Sequence, residues 1–302
     1  MKIVFMGTPE FAVASLAAIL TAGIEVAAVV TAADKPAGRG QKLNESAVKK
    51  FAVEKNIPVL QPLKLKDEHF IEELKRFDAD LFVVVAFRML PAVIWRMPKQ
   101  GTINLHGSLL PQYRGAAPIN HAIINGEVES GVTTFFIKEE IDTGDIIFKS
   151  SVAISDEDNA GDLHDKLMQE GANLLVKTIT AAENRRINEQ PQDNSELLKF
   201  APKIFKEDCK INWNDSGKNV YNFIRGLSPY PTAVTQLNGK ILKVFKATIE
   251  PSSPTQQVGE FETDGKTFLK FATQDGYIHL LDVQYEGKKR MQVADFLRGM
   301  RL

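Results

Sequence analysis

Over its first 180 or so residues the chain alternates short, continuously apolar runs with longer segments whose apolar positions recur at helical spacing. Lys2-Ile-Val-Phe-Met reads as a strand, 10–22 as a helix, 25–31 as a strand and 46–55 as a helix. A short extended piece at 57–60, a helix at 68–77 and strands at 79–86 and 102–106 follow. Strands that are apolar throughout, separated by amphipathic helices, predict an α/β domain with a Rossmann-like, mostly parallel sheet covered on both faces. A helix over 118–125 leads to two alternating strands, 131–140 and 145–154, expected as a hairpin at a sheet edge. The long helix predicted at 160–184 buries Leu163, Leu167, Leu174, Leu175 and Ile179 on one side, with Asn159 or Asp158 as its cap.

The pattern then changes. Residues 188–195, including Gln190-Pro-Gln-Asp-Asn, form a polar connector. From about Ile211 short β-prone runs are punctuated by Asn238-Gly239, Thr263-Asp-Gly265, Gln274-Asp-Gly276 and Glu286-Gly287. Asn-Gly and Asp-Gly between such runs are hairpin signals, and five or six strands in so short a span suggest a small β-barrel. Helices at 216–225 and 293–300 complete it. The expected organisation is therefore an α/β domain at 1–188, a linker at 189–205 and a β domain at 206–302.

Composition narrows the classes. Of 302 residues, 44% are hydrophobic and 25% charged, an ordinary globular balance. No run approaches the ~18 apolar residues that span a bilayer, and Met1-Lys-Ile-Val-Phe-Met-Gly reads as a first strand rather than a signal peptide. A single cysteine, Cys209, excludes an internal disulfide and fits a reducing cytosol, so a cytoplasmic protein is expected. The five histidines show no helical pairing and no Cys/His cluster, so no metal site is expected. The net charge of −1 conceals an asymmetry: residues 1–202 carry −5 and residues 203–302 carry +4, which makes the last third the better candidate for a polyanion surface. A merely solvated face explains so small an excess about as well.

The strongest chemical signal is Asn104-Leu-His106-Gly-Ser-Leu-Leu-Pro111, followed by Arg114-Gly-Ala-Ala-Pro118. On a strand, residues i and i+2 share a face, so Asn104 and His106 can converge where strand becomes loop. Alone, the pair could simply stabilise that loop through hydrogen bonds. The segment running from Gly131 to Asp142-Thr-Gly-Asp145 offers a carboxylate that a second strand could carry to the imidazole. A carboxylate beside a histidine fixes its tautomer, and a neighbouring carboxamide can hold a developing oxyanion. By contrast, Gly7-Thr-Pro-Glu lacks the G-x-G-x-x-G spacing of a dinucleotide site. The loop Asp34-Lys35-Pro-Ala-Gly38-Arg39-Gly40-Gln-Lys42 sets three cations on a glycine-flanked arm, suited either to a polyanion or to plain solvent exposure.

Taken together, the segments Phe5 to Ala12, Lys35 to Gly40, Asn104 to Pro111, Arg114 to Ile119, Ile141 to Asp145, and Ala201-Pro-Lys-Ile204 with Lys206-Glu207 resemble the methionyl-tRNA formyltransferase family of folate-dependent formyltransferases over essentially the whole chain. The resemblance implies formyltransferase topology and an OB-like C-terminal barrel. It implies 10-formyltetrahydrofolate as donor, with no metal, and the α-amine of methionine on initiator tRNA as acceptor. No membrane and no obligate protein partner are implied. Asn104, His106 and Asp142 would be catalytic; Ser108, Leu109, Leu110 and Pro111, with the 86–90 loop including Phe87, Arg88, Met89 and Leu90, would hold folate. Lys35, Arg39 and Lys42 in the basic loop, and Lys203, Lys206 and Lys210 towards the β domain, would meet the tRNA.

Two positions depart from the family pattern. Gln112-Tyr113 replaces an arginine after the Leu-Leu-Pro run, removing a cation, and Phe87-Arg88 stands where Tyr-Gly is common. Neither belongs to the presumed catalytic set. Formylation of an amino-sugar nucleotide would use the same three residues but would not need Arg39, and an RNA- or folate-binding protein without catalysis would leave them idle.

Overall fold

The computed structural model describes residues 1–37, 42–195 and 197–299. Its larger sheet has seven strands in the order Ile146–Ala153, Glu129–Phe136, Thr102–His106, Leu81–Val85, Lys2–Gly7, Glu25–Val30 and Val59–Leu60. The five from Thr102–His106 to Val59–Leu60 run parallel, as their apolar sequences require, whereas Glu129–Phe136 pairs antiparallel with Thr102–His106. The two alternating strands thus lie at the sheet edge, as their pattern predicts. The chain steps from the first strand to the second on one side and later returns to Leu81–Val85 on the other. That reversal creates a crevice beyond the carboxyl ends of the strands, the usual ligand position in such sheets.

Alternation within the first strand divides the core. Val4 and Met6 join Ala28, Val30, Phe82 and Val84 in one cluster closed by Phe70, Leu74 and Ile94, while Ile3 and Phe5 are equally buried. The helices Ala47–Glu54 and Glu68–Lys75 begin where Ser46 and Asp67 accept from Lys49 N and Phe70 N, caps that satisfy otherwise orphaned amides.

The chain divides into two compact units that do not simply follow its order. One comprises 1–114, 131–152 and 165–200; the other comprises 115–130, 153–164 and 201–302. In the second, Pro118–Ile124 packs on Gly217–Gly226, where the absence of a side chain at Gly226 matters: a Cβ would lie 2.5 Å from Ile124. Asn159 caps the long helix, accepting from Gly161 N at 2.7 Å and Asp162 N at 3.2 Å, while Asp162 reaches back to Asn159 N. Asp158 instead accepts from Ser155 N.

The β-rich part is an antiparallel sheet in the order Ala233–Leu237, Lys240–Pro251, Gly276–Tyr285, Leu269–Ala272 and Phe261–Thr263, with Met291–Gln292 also on Gly276–Tyr285. Register breaks around Lys246 bend its longest strand, curling the sheet into a half-barrel around Leu242, Val244, Phe271, Ile278, Leu280 and Phe296. The turns fall at the predicted Asn-Gly and Asp-Gly pairs; Asn238 and Gly239 both have positive φ, as a two-residue hairpin demands.

Arg225 is the most heavily committed buried cation of this unit. At 8% exposure it donates to the carbonyls of Asp158 at 2.9 Å and Ser155 at 3.2 Å and to Asn222 Oδ1 at 2.9 Å. Replacing it with leucine would strand three acceptors at once. Arg225→Leu is expected to lower unfolding free energy by about 3 kcal/mol, measured by urea titration against the parent.

Candidate active site

Asn104 and His106 leave the carboxyl end of Thr102–His106 on one face, while Ile103 and Leu105 bury the other. The antiparallel neighbour places Phe135 opposite Asn104 and Thr133 opposite His106. Beyond Phe136 the chain turns through Asp142 and returns as Ile146–Ala153, which brings the Asp142 carboxylate to the imidazole: Oδ2 lies 3.8 Å from His106 Nδ1. Both side chains are largely buried, at 7% and 13% exposure. Asp142 has φ 54°, the left-handed region that aspartate tolerates better than most residues.

The other ring nitrogen, Nε2, lies 2.9 Å from the Tyr113 carbonyl. A carbonyl only accepts, so Nε2 carries a hydrogen and Nδ1 is the nitrogen left to exchange a proton on the Asp142 side. At 3.8 Å the carboxylate and the imidazole stand beyond direct hydrogen-bond length. The half-buried Asn104 carboxamide has no hydrogen bond to another described residue. A carboxamide, an imidazole and a carboxylate are thereby gathered at one strand end.

The loop after His106 is fixed by Thr133, a residue to which sequence reasoning assigned no role. Its hydroxyl donates to the Ser108 carbonyl at 2.7 Å and accepts from Leu110 N at 3.1 Å, while Ser108 Oγ donates to the Gln112 carbonyl at 2.6 Å. Ser108 and Leu110 are fully buried, and Leu109 and Pro111 are half-buried. In the 86–90 loop, Ala86 has positive φ, Leu90 points into the core, and Met89 is 75% exposed. Arg88 donates to the carbonyls of Pro62 and Leu63 and lies over the Phe87 ring, so it ties two loops together.

Gln112, where an arginine was expected, also has work in the fold. Its Nε2 donates to the Leu197 carbonyl at 3.2 Å and its Oε1 accepts from Lys199 N at 2.8 Å. Arginine has no acceptor and could not make that second bond.

Of the basic residues, Lys35 is exposed, and it and Lys42 lie on paired strands, Lys35–Ala37 and Lys42–Asn44. Arg39 lies outside the described residues. Beside this hairpin Asp34 is held by Lys49 and by Gln61 Nε2 at 2.8 Å; the Lys49 bond, then Gln61, keep its carboxyl below the ordinary range. Lys203, Lys206 and Lys210 are exposed, and Lys203 sits over the Phe205 ring. Cys209 is 3% exposed, and burial followed by Asp208 and Glu207 raises its thiol pKa, a poor setting for a nucleophile.

A carboxamide beside an imidazole and a carboxylate, at a strand end of a doubly wound α/β sheet, is an arrangement that can hold a developing oxyanion. Comparison with known proteins is specific. Residues 1–179 match the formyl transferase family and residues 203–301 match the formyl transferase C-terminal domain; the chain belongs to the formyl transferase family. It is 49% identical over 310 residues to the methionyl-tRNA formyltransferase of Bacteroides fragilis, with 100% of this chain and 96% of that protein covered. Identity with the protein of the same name from Flavobacterium johnsoniae is 50% over 304 residues, covering 99% and 96%. Among solved structures, an N-formyltransferase from Helicobacter canadensis in complex with folinic acid and dTDP-3-aminofucose superposes with a TM-score of 0.68 at 25% identity, over 94% of this chain and 99% of that one.

Because Thr133 supplies both a donor and an acceptor to the buried loop, Thr133→Val keeps the shape but orphans Leu110 N and the Ser108 carbonyl. It is expected to cost about 2 kcal/mol in chemical denaturation.

Proposed function

We propose that the protein transfers the formyl group of 10-formyltetrahydrofolate to the α-amine of methionine on initiator methionyl-tRNA, acting in the cytoplasm. The observation that carries the acceptor is the 49–51% identity to proteins named methionyl-tRNA formyltransferase, which extends over both the catalytic part and the C-terminal part. The solved Helicobacter canadensis enzyme binds folinic acid, and HypX from Aquifex aeolicus, at 19% identity and TM-score 0.64, is described with tetrahydrofolic acid; both are consistent with a folate donor here.

The chemistry follows from the trio. The uncharged amine attacks the formyl carbon of the donor's N10-formamide, forming a C–N bond and moving the carbonyl electron pair onto oxygen. Asn104 donates to that oxyanion, and a protonated His106 stabilises it electrostatically. Asp142 holds the imidazolium and helps carry the proton from the attacking nitrogen to N10 as the C–N10 bond breaks. The products are the formylated amine and tetrahydrofolate, with no covalent enzyme intermediate.

In this reading the 86–90 loop and residues 108–111 form the folate wall, their backbone offering polar groups while Leu90, Ser108 and Leu110 stay anchored in the protein. Lys35, Arg39, Lys42, Lys203, Lys206 and Lys210 supply positive charge to the tRNA.

Labelled formyl donor supplied with aminoacylated initiator tRNA, elongator tRNA and a dTDP-amino sugar tests the assignment. Label on initiator methionine alone is expected; label on the sugar would overturn it. His106→Ala and Asp142→Ala should each lower kcat/KM by about 10³-fold with folding intact, read by steady-state formylation beside circular dichroism. Arg39→Ala should impair formylation of methionyl-tRNA strongly while folate affinity is unchanged, and lysine there should restore only part, since a point charge lacks the guanidinium fork.

A further inference from the structure

The connector around residue 192 reads from sequence as a polar link, yet it is paired to the edge of the large sheet. Gln190 and Ile146 exchange backbone hydrogen bonds, Ile146 N to Gln190 O at 2.8 Å and Gln190 N to Ile146 O at 2.9 Å. In that antiparallel register Gln192 falls opposite Gly144. Its side chain then spans the turn that carries Asp142: Nε2 donates to the Asp142 carbonyl and to the Gly144 carbonyl, both at 2.8 Å.

The acceptor end of the same amide is held as firmly. Arg114 donates to Gln192 Oε1 from Nε at 3.0 Å and from Nη2 at 2.6 Å, and Nη2 also donates to Asn194 Oδ1 at 2.8 Å. Arginine only donates and backbone carbonyls only accept, so the carboxamide has a single orientation that serves, and both its hydrogens and its oxygen are used. The turn has little freedom elsewhere: a Cβ on Gly144 would lie 1.6 Å from the Phe136 carbonyl, and Asp142 sits at positive φ.

We infer that Gln192, oriented by Arg114, is a positioning residue for the transfer reaction, holding the 142–144 turn so that the Asp142 carboxylate meets His106. The inference rests on the catalytic reading of Asp142 given above. Gln192 touches neither reacting group; it acts through the backbone of residue 142. A carboxylate displaced by as little as 1 Å supports the developing charge poorly, an effect that falls on kcat rather than on substrate binding.

The test is a double-mutant cycle on the full-length enzyme with methionyl-tRNA and formyl donor, using single-turnover rates so that slow variants are measurable. Gln192→Leu keeps a branched side chain of similar bulk, one bond shorter, and removes every side-chain hydrogen bond of the glutamine. It is expected to lower kcat by about 10- to 100-fold with KM for both substrates within about threefold of the parent. In an Asp142→Ala background the same change should cost less than about twofold, because its effect is already lost. Arg114→Lys, which leaves the glutamine in place but replaces the fork by a single ammonium, should show a smaller loss of the same kind and serves if the leucine variant does not fold.

A Gln192→Leu enzyme within twofold of the parent would overturn the inference, as would a loss that persists undiminished beside Asp142→Ala. An Asp142→Ala enzyme of parental activity would instead remove the catalytic reading beneath it, and is recognised without reference to either positioning variant.

Discussion

The antiparallel pairing of Glu129–Phe136 with Thr102–His106 is the constraint on which the site depends. The other neighbour of Thr102–His106, Leu81–Val85, is parallel and runs in the same direction. Only an antiparallel neighbour places Thr133 beside His106 and lets the following turn come back towards it with an acid. A slip by one residue would exchange the faces of the strand, moving Thr133 away from the loop it ties and burying Phe136 in place of Phe135. The register is secured by what it buries: Val132 and Phe135 are almost fully enclosed, and so are the hydroxyls of Thr133 and Thr134. Each hydroxyl has a partner, Thr133 with the Ser108 carbonyl and Thr134 with Thr178, so polar residues inside the core reinforce the register.

Where one type of local signal dominated, the sequence was legible. Thr102–His106 has the predicted bounds, the long helix and edge hairpin fall within a few residues of theirs, and Asn-Gly and Asp-Gly mark the turns they favour. The convergence of Asn104 with His106 follows from strand periodicity alone. Asp142 needed more, because its approach depends on a register that only the assembled sheet fixes.

Other contributions had no local signature. Thr133 looks like any β-branched strand residue, and Gln192 sits in a stretch whose composition says only that it is not helix. Their importance comes from partners 25 and 48–50 residues away in the chain. Gln112 shows the same limit from the other side. Read against a family pattern it is a missing cation; read in the structure it is a carboxamide that both donates to and accepts from the backbone at 197 and 199. Arg88 is similarly spent on carbonyls of the 62–63 loop.

The helix Pro118–Ile124 and the segment 153–164 have a consequence for how such a protein can be cut or recombined. They belong by contact to the unit formed with 201–302, although they precede most of it in the chain. Arg225 and Gly226 hold them there through Asp158, Ser155 and the close approach of Ile124. Severing the chain near residue 200 would therefore strip the remaining fragment of the surface on which two of its own segments are folded. A graft that exchanges this unit between relatives has five chain junctions to match rather than one, so the natural unit of exchange is discontinuous in the gene.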